Sequence, residues 1–318
     1  MTNRLQTLLD EKSILLADGA MATNLFPLGL KPGDAAEVWN LSAPWKIADL
    51  HQQFVEAGAD ILLTNSFGAN ACRLERHNKA TDVRPLNIAA ARLAASVAKA
   101  AQREIIIAGN MGPLGCEITS TGAMQPDEAT RLFRQQAEAL AEGGVDLLWL
   151  ETISDRVELE AALAAARSTG LPVIATLSFH GGGTGREPLI PSDLPSICHA
   201  ATASPTAWGS NCGNGPGEAL LHLLEFGKQA KREDILTIKA NCGLPEVKDA
   251  MFTYPATPDI MGDYARLAAD AGARIIGGCC GATPAHVKAM ADALRDYCPK
   301  RSPTRREIEA RFAPLMPH

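Results

Sequence analysis

Aromatic side chains are scarce in this chain, 5% of 318 residues, and long apolar runs are missing. No segment approaches the roughly 18–20 apolar residues of a membrane-spanning helix, which argues against a membrane protein. The opening stretch, MTNRLQTLLDEKS, is polar and amphipathic and has no core for a signal peptide. Basic excess is absent too. The formal charge is −6 and is spread without long runs, so nothing is built to grip nucleic acid or an anionic membrane surface. A cytoplasmic location is expected, and there the eight cysteines should be reduced, metal-bound or buried rather than disulfide-paired. Two motif absences matter as well. The first strand-to-helix turn, ADGAMATN, lacks a glycine-rich dinucleotide fingerprint. None of the seven histidines falls at a strand end, against a histidine-and-carboxylate metal site of the aldolase or hydrolase kind.

What the chain does contain is a repeated alternation. Eight short apolar runs are each followed by a helical or looped stretch. They are SILLADGA, DILLTNS, EIIIAGN, VDLLWLET, LPVIATLS, TAWGSNC, ILTIKANC and ARIIGGCC. Pro126 and Pro284 suit first helical turns, the latter behind Thr283 as a cap. Continuous apolar strands alternating with helices indicate a parallel sheet covered on both faces, and eight units predict a closed (β/α)8 TIM barrel rather than an open doubly wound sheet. A single domain over residues 1–298 is expected. The basic, proline-flanked tail at 299–318 reads as an extended arm or a homo-oligomer contact. The glycine-rich stretch HGGGTGREPLI at 180–190 reads as a surface turn or lid rather than a phosphate cradle.

Chemistry in such a barrel occupies the C-terminal strand ends. Those ends carry Asp18, Asn65, Asn110, Glu151, Ser178, Asn211-Cys212, Asn241-Cys242 and Cys279-Cys280. A polar group at every end would be costly to bury idle, so the set predicts a lined pocket. The last three runs are neighbours in a closed barrel, which lets Cys212, Cys242 and the Cys279-Cys280 pair converge. Soft thiolates at short range select zinc, and a catalytic zinc takes three protein ligands and leaves one position open. Gly277, Gly278 and Gly281 permit the sharp turn that two adjacent ligands need. Cys72, Cys198 and Cys298 read as small buried hydrophobes. Cys116 is ambiguous, and spacing alone leaves Cys242 a ligand, a wall residue or an occasional fourth thiolate.

The motifs DGAMATNL, LTNSFGAN, GNMGPLG, SNCGNGP and IIGGCCGATPAHV together resemble the homocysteine S-methyltransferase family, from about residue 13 to about residue 297. The resemblance implies a zinc held by Cys212, Cys279 and Cys280, with the homocysteine sulfur in the fourth place. It implies that Asp18 and Gly19 help hold the amino acid, that Glu151 pairs with its ammonium group, that Asn211 is a pocket residue, and that Cys242 is a wall residue.

The methyl donor has to bring its own activation, as a small onium cation such as glycine betaine, S-methylmethionine or dimethylsulfoniopropionate. A separate methyl-corrinoid protein is the other source, since the DxHxxG element of a cobalamin module is absent. Onium groups favour aromatic faces, which makes Trp39, in EVWNLSAPW, and Phe67 candidates, while Trp45 should pack its helix. Where animal betaine-dependent relatives carry tyrosines this chain has Gly68 and Thr152, yet EVWN, NSFGAN and KANCGLPE look like bacterial members assigned to betaine. Glycine betaine is therefore the expected donor. A non-catalytic zinc-thiolate protein is the reading of another class.

Overall fold

The computed structural model describes residues 4–116, 118, 124–179, 189–201, 204–248 and 251–316. The glycine-rich stretch noted at 180–190 lies outside the described residues, except for its last two.

Eight parallel strands form the central sheet: β1 (Leu15–Leu16), β2 (Ile61–Leu63), β3 (Ile106–Met111), β4 (Leu147–Ile153), β5 (Val173–Leu177), β6 (Ala207–Cys212), β7 (Leu236–Ala240) and, after a short antiparallel hairpin of β8 (Glu246–Lys248) and β9 (Met251–Thr253), β10 (Ala273–Gly278). Each of the eight apolar runs supplies one barrel strand. Neighbours pair in sequence order, β10 returns to β1 through Leu15↔Ile275 and Leu16↔Ile276, and an Ala17↔Ile61 bridge joins β1 to β2. The ring is thus closed as a (β/α)8 barrel. The β8–β9 hairpin was not foreseen, because its residues lack a long alternating pattern.

Helices wrap the barrel where their capping residues place them. Asp155 accepts a hydrogen bond from Glu158 N at 2.9 Å to start helix Arg156–Arg167. Helix Pro126–Gly143 and helix Pro284–Leu294 begin on their prolines, and Thr283 with His286 forms a reciprocal cap on the second. A cap of this kind stabilises a helix by about 1 kcal/mol.

Two main apolar cores result among the described residues, beside a small satellite of Leu74, Val83 and Leu86. The larger lies between strands and helices. The smaller fills the barrel itself, with Leu15, Ile61, Ile106, Leu147, Trp149, Ile174, Ile235 and Ile275. Helix Arg4–Lys12 adds Leu5, Leu8 and Leu9 to this inner core, a spacing that gathers all three on one helical face. Lys12 Nζ donates to Asp60 Oδ1 at 2.5 Å, and Arg4 pairs with Glu104 and Asp146. These acids precede β2, β3 and β4, so the helix plugs the N-terminal end of the barrel. Trp208, within β6, faces outward, 5.7 Å from the Phe226 ring. Strand alternation explains this, since its neighbours Ala207 and Gly209 take the inward phase.

The tail is not extended throughout. It forms helix Arg305–Phe312, capped by Thr304. Ile308 and Phe312, four residues apart and so on one face, are buried. A Cβ on Gly217 would stand 2.8 Å from Phe312 Cβ, so the absence of a side chain there lets this helix dock on helix Pro216–Gly227.

Candidate functional site

At the C-terminal end of the barrel the inward positions change from hydrocarbon to polar. Alternation along the strands turns Asn110, Glu151, Asn211 and Lys239 toward the axis, continuing the faces of Ile106, Leu147, Ala207 and Ile235. All four are almost fully buried. Asn110, Glu151 and Lys239 line a cavity of about 350 Å³ together with Gly19, Phe67, Thr152, Cys212, Cys279 and Cys280, while Asn211 and Asp18 are not among its lining residues.

One wall of the cavity is sulfur. The Sγ atoms of Cys212, Cys279 and Cys280 lie within 4.8 Å of one another, and those of Cys212 and Cys279 are 3.1 Å apart. The local backbone explains how adjacent cysteines share one centre. Cys279 N donates to Ala240 O at 2.7 Å, continuing the ladder with β7. Cys280 N turns to Asn241 Oδ1 at 2.9 Å, and Gly281 follows at φ +81°. Cys212 itself adopts φ +64°, a left-handed conformation that costs a non-glycine residue about 1–2 kcal/mol and redirects its side chain at the strand end. Asn211 braces the group: its Nδ2 donates to Thr152 Oγ1 at 2.7 Å and lies 3.4 Å from Cys212 Sγ, while its Oδ1 accepts from Thr152 N at 2.8 Å. Thr152 also sits at φ +64°, where the pairing of β4 with β5 is irregular.

Hydrogen bonds from Cys212 and Cys280 draw the Cys279 thiol well below its ordinary pKa, with Lys239 adding to the effect against burial. The same sharing pushes Cys212 up. A cluster that concentrates negative charge on sulfur in this way is a ready cation site. Among the described residues, Cys212, Cys279 and Cys280 form the one group of three or more ligand-type side chains close enough to hold a metal. Cys242 stands apart, fully buried, with its N–H donating to Cys280 O at 2.9 Å. Burial pushes its thiol up to about 12.

A charged cluster lies elsewhere on the barrel floor. Lys239 Nζ donates to Glu151 Oε1 at 2.8 Å and stands 4.0 Å from Asp18 Oδ1. Asn110 Nδ2 donates to Glu151 Oε2 at 3.1 Å, and Leu63 N donates to Asp18 Oδ2 at 2.8 Å. Burial pushes the Asp18 carboxyl up to about 7 against the pull of Lys239, and raises Glu151 for the same reason. Burial lowers Lys239, but the two carboxylates more than offset it and hold the ammonium above its ordinary value. Gly19 is required to be small: a Cβ there would meet Ala282 O at 2.4 Å.

The two aromatic candidates part company. Phe67 lines the cavity, with the Arg73 guanidinium carbon 5.2 Å from its ring centroid. Trp39 is half-buried against the outer core, is not among the cavity-lining residues, and carries the Lys46 ammonium 4.3 Å above its ring. Trp45, expected to pack its helix, is 66% exposed. Of the remaining cysteines, Cys198 is buried as expected, Cys298 is exposed, and Cys72 is half-buried, 3.5 Å from the sulfur of exposed Cys116. Two site residues escaped the sequence reading. Lys239 is a lone charge inside the apolar run ILTIKANC, a signal that inward phase would have made legible. Glu37 lines the cavity beside Phe67 and accepts from Gly68 N at 2.5 Å, but EVWN gives no periodic cue to it.

Solved structures share the fold. The solved structure of the metallated homocysteine methyltransferase MmuM from Escherichia coli superposes with a TM-score of 0.76 at 24% identity, covering 91% of this chain and 99% of that one. Methionine synthase of Mycobacterium tuberculosis is 30% identical over 298 residues, 88% of this chain but 24% of that protein. The corresponding enzyme of Mycobacterium leprae is 28% identical over 92% of this chain and 25% of its own length. The chain therefore spans about a quarter of the length of these curated relatives. The family model for homocysteine S-methyltransferase matches residues 15–294, strand β1 through the helix that follows β10, and the chain belongs to that family.

Proposed function

We propose that the protein methylates the sulfur of homocysteine to give methionine, with a zinc ion at Cys212, Cys279 and Cys280 and a small onium compound as methyl donor. The observation that carries this reading is the pairing, in one cavity, of a three-sulfur cluster with a buried carboxylate group of the size and charge an amino acid needs. The donor set fits zinc: three soft sulfurs at mutual distances short enough to share one ion, on a turn that presents adjacent cysteines together. A zinc ion held there would favour the thiolate form of the substrate thiol at neutral pH and leave it a fourth coordination place.

The remaining work falls to the chain's own groups. Asn211 fixes the Cys212 end of the cluster through Thr152. Glu151, which lines the cavity, supplies negative charge for the substrate ammonium, with Asp18 adding to it from 4.0 Å beyond Lys239, and Gly19 lies on the cavity wall. The sulfur lone pair forms a bond to the donor methyl carbon as the carbon–nitrogen or carbon–sulfur bond breaks. The onium group then leaves as a neutral amine or sulfide, and no proton has to be delivered to it. Phe67 and the Glu37 carboxylate line the cavity where a cationic donor can enter. Glycine betaine is the donor placed first.

The relatives named methionine synthase, of which this chain matches about a quarter, motivate a second donor, a methylated corrinoid protein. The test is the zinc-loaded protein with homocysteine and, in turn, glycine betaine, S-methylmethionine, dimethylsulfoniopropionate and a methyl-corrinoid protein, scored for methionine. Methionine from a small onium compound supports the proposal. Methionine from the corrinoid arm alone keeps the methyl-transfer reading and moves the donor to a protein. Zinc retention without methionine from any arm leaves a zinc-thiolate protein of non-catalytic role.

A further inference from the structure

The resemblance assigned Glu151 to the substrate ammonium, but the structure gives that carboxylate two internal partners already. Lys239 Nζ sits on Oε1 at 2.8 Å and Asn110 Nδ2 on Oε2 at 3.1 Å. The lysine is 2% exposed, lines the cavity, and lies over the Trp149 ring at 5.2 Å from the centroid. A buried ammonium of this kind is rare unless paired, and its pairing is unequal: hydrogen-bond distance to Glu151, 4.0 Å to Asp18. Two carboxylates thus flank one ammonium, and only one of them is in hydrogen-bond contact with it.

Take the lysine away and the same buried carboxylates are left without their neighbouring ammonium. Desolvation and mutual repulsion then disfavour the charged forms, and Glu151 loses both the neighbouring charge that favours its ionised form and the hydrogen bond that fixes Oε1. Each carboxylate oxygen has two acceptor positions, so Lys239 and a ligand ammonium can be held by Glu151 together. We infer that Lys239 is a positioning residue, which keeps Glu151 ionised and turned to the cavity so that the site selects thiols bearing an α-ammonium group. The inference rests on the homocysteine reading above and names the residue that makes that subsite selective.

The test needs no methyl donor. Binding of L-homocysteine and of 4-sulfanylbutanoate, the same thiol acid without its amine, is measured by calorimetry on zinc-loaded wild type, Lys239→Met and Lys239→Ala. Wild type should prefer homocysteine by about 10- to 100-fold, the worth of one charge-assisted hydrogen bond. Lys239→Met keeps the volume and removes the charge, so most of that preference should vanish through weaker homocysteine binding, with zinc content unchanged. Lys239→Ala vacates three carbons and a nitrogen. Propylammonium, which replaces those atoms, should restore part of the preference where propan-1-ol does not. An unchanged preference in Lys239→Met overturns the inference and leaves the methyl-transfer reading intact. Equal weakening of both thiols also overturns it, because the lysine would then serve the fold alone. Wild-type protein that binds neither thiol overturns the homocysteine reading itself, and this inference with it.

Discussion

The two ends of the barrel interior differ although the same strands build both. Ile106 and Asn110, Leu147 and Glu151, Ala207 and Asn211, Ile235 and Lys239, and Ile275 and Cys279 are each separated by four residues along one inward face. At about 3.3 Å per residue that is roughly 13 Å. Within it, close-packed hydrocarbon gives way to ions, amides and sulfur. The N-terminal end is sealed by Leu5, Leu8 and Leu9 and stabilises the fold by burial. The C-terminal end holds buried charge and left-handed backbone at Thr152 and Cys212, which cost stability and persist because the rest of the structure over-determines them. Stability and chemistry are thus assigned to opposite ends of one core, and substitutions should separate them.

The largest separation should come from the sulfur cluster. Thiolate-rich sites hold zinc with about 10–16 kcal/mol of binding free energy, and Cys279→Ser should forfeit enough of it for near-complete loss of metal. Cys242→Ser, only one strand away but outside the cluster, should keep its zinc. Metal analysis of the purified variants checks both, and loss of zinc from the Cys242 variant would mean that the ligand set is wrong. The next effect belongs to the other end. Leu9→Ala opens a cavity in the plug and should cost about 2–5 kcal/mol of stability, read by denaturant unfolding, with metal content unchanged. Zinc loss from that variant would show that the two ends are coupled.

This division also explains what was readable in the sequence. Every barrel strand was visible, because strands buried on both faces are continuous apolar runs. The sulfur cluster was visible because cysteines at strand ends are chemically distinctive. Lys239 was not, since a single charge inside an apolar run reads as noise until the strand's inward phase is known. Trp39 and Phe67 looked alike as onium partners, since both are aromatics in loops near the strand ends. Sequence does not carry the Lys46 ammonium over one ring or the cavity beside the other. The tail helix was missed because its two buried residues gain a partner only when helix Pro216–Gly227 is in place.

A buried polar group also lies outside the site. His51, on helix Pro44–Ala57, is fully buried, and neither ring nitrogen finds a hydrogen-bond partner among the described residues. Burial lowers its pKa from 6.5 to about 4. Above about pH 6.5 folded and unfolded chains both hold the neutral ring, and its contribution to stability is complete. Between that pH and about 4 the unfolded chain binds a proton that the folded one refuses, so stability falls by up to about 1.4 kcal/mol per pH unit. His51→Leu should flatten this part of the stability profile while leaving zinc content as in wild type. Unfolding curves with the same steepness in pH for both proteins would remove His51 as the cause.

The smallest effect concerns the donor side of the cavity, where two rings compete for one role. An onium cation gains about 0.5–1 kcal/mol from a partly exposed aromatic face. Phe67 lines the cavity and Trp39 does not, so Phe67→Leu should raise the donor requirement about two- to fivefold and leave homocysteine binding unaltered. The Arg73 guanidinium beside the Phe67 ring competes electrostatically with an onium donor, which is why the expected gain is kept at the low end. Trp39→Ala should act mainly on packing and on Lys46, lowering stability without a donor-specific change. Steady-state kinetics with donor and homocysteine varied separately tell these apart. A donor-specific defect in Trp39→Ala with none in Phe67→Leu would reverse the assignment and require the segment carrying Trp39 to fold over the cavity when the donor binds.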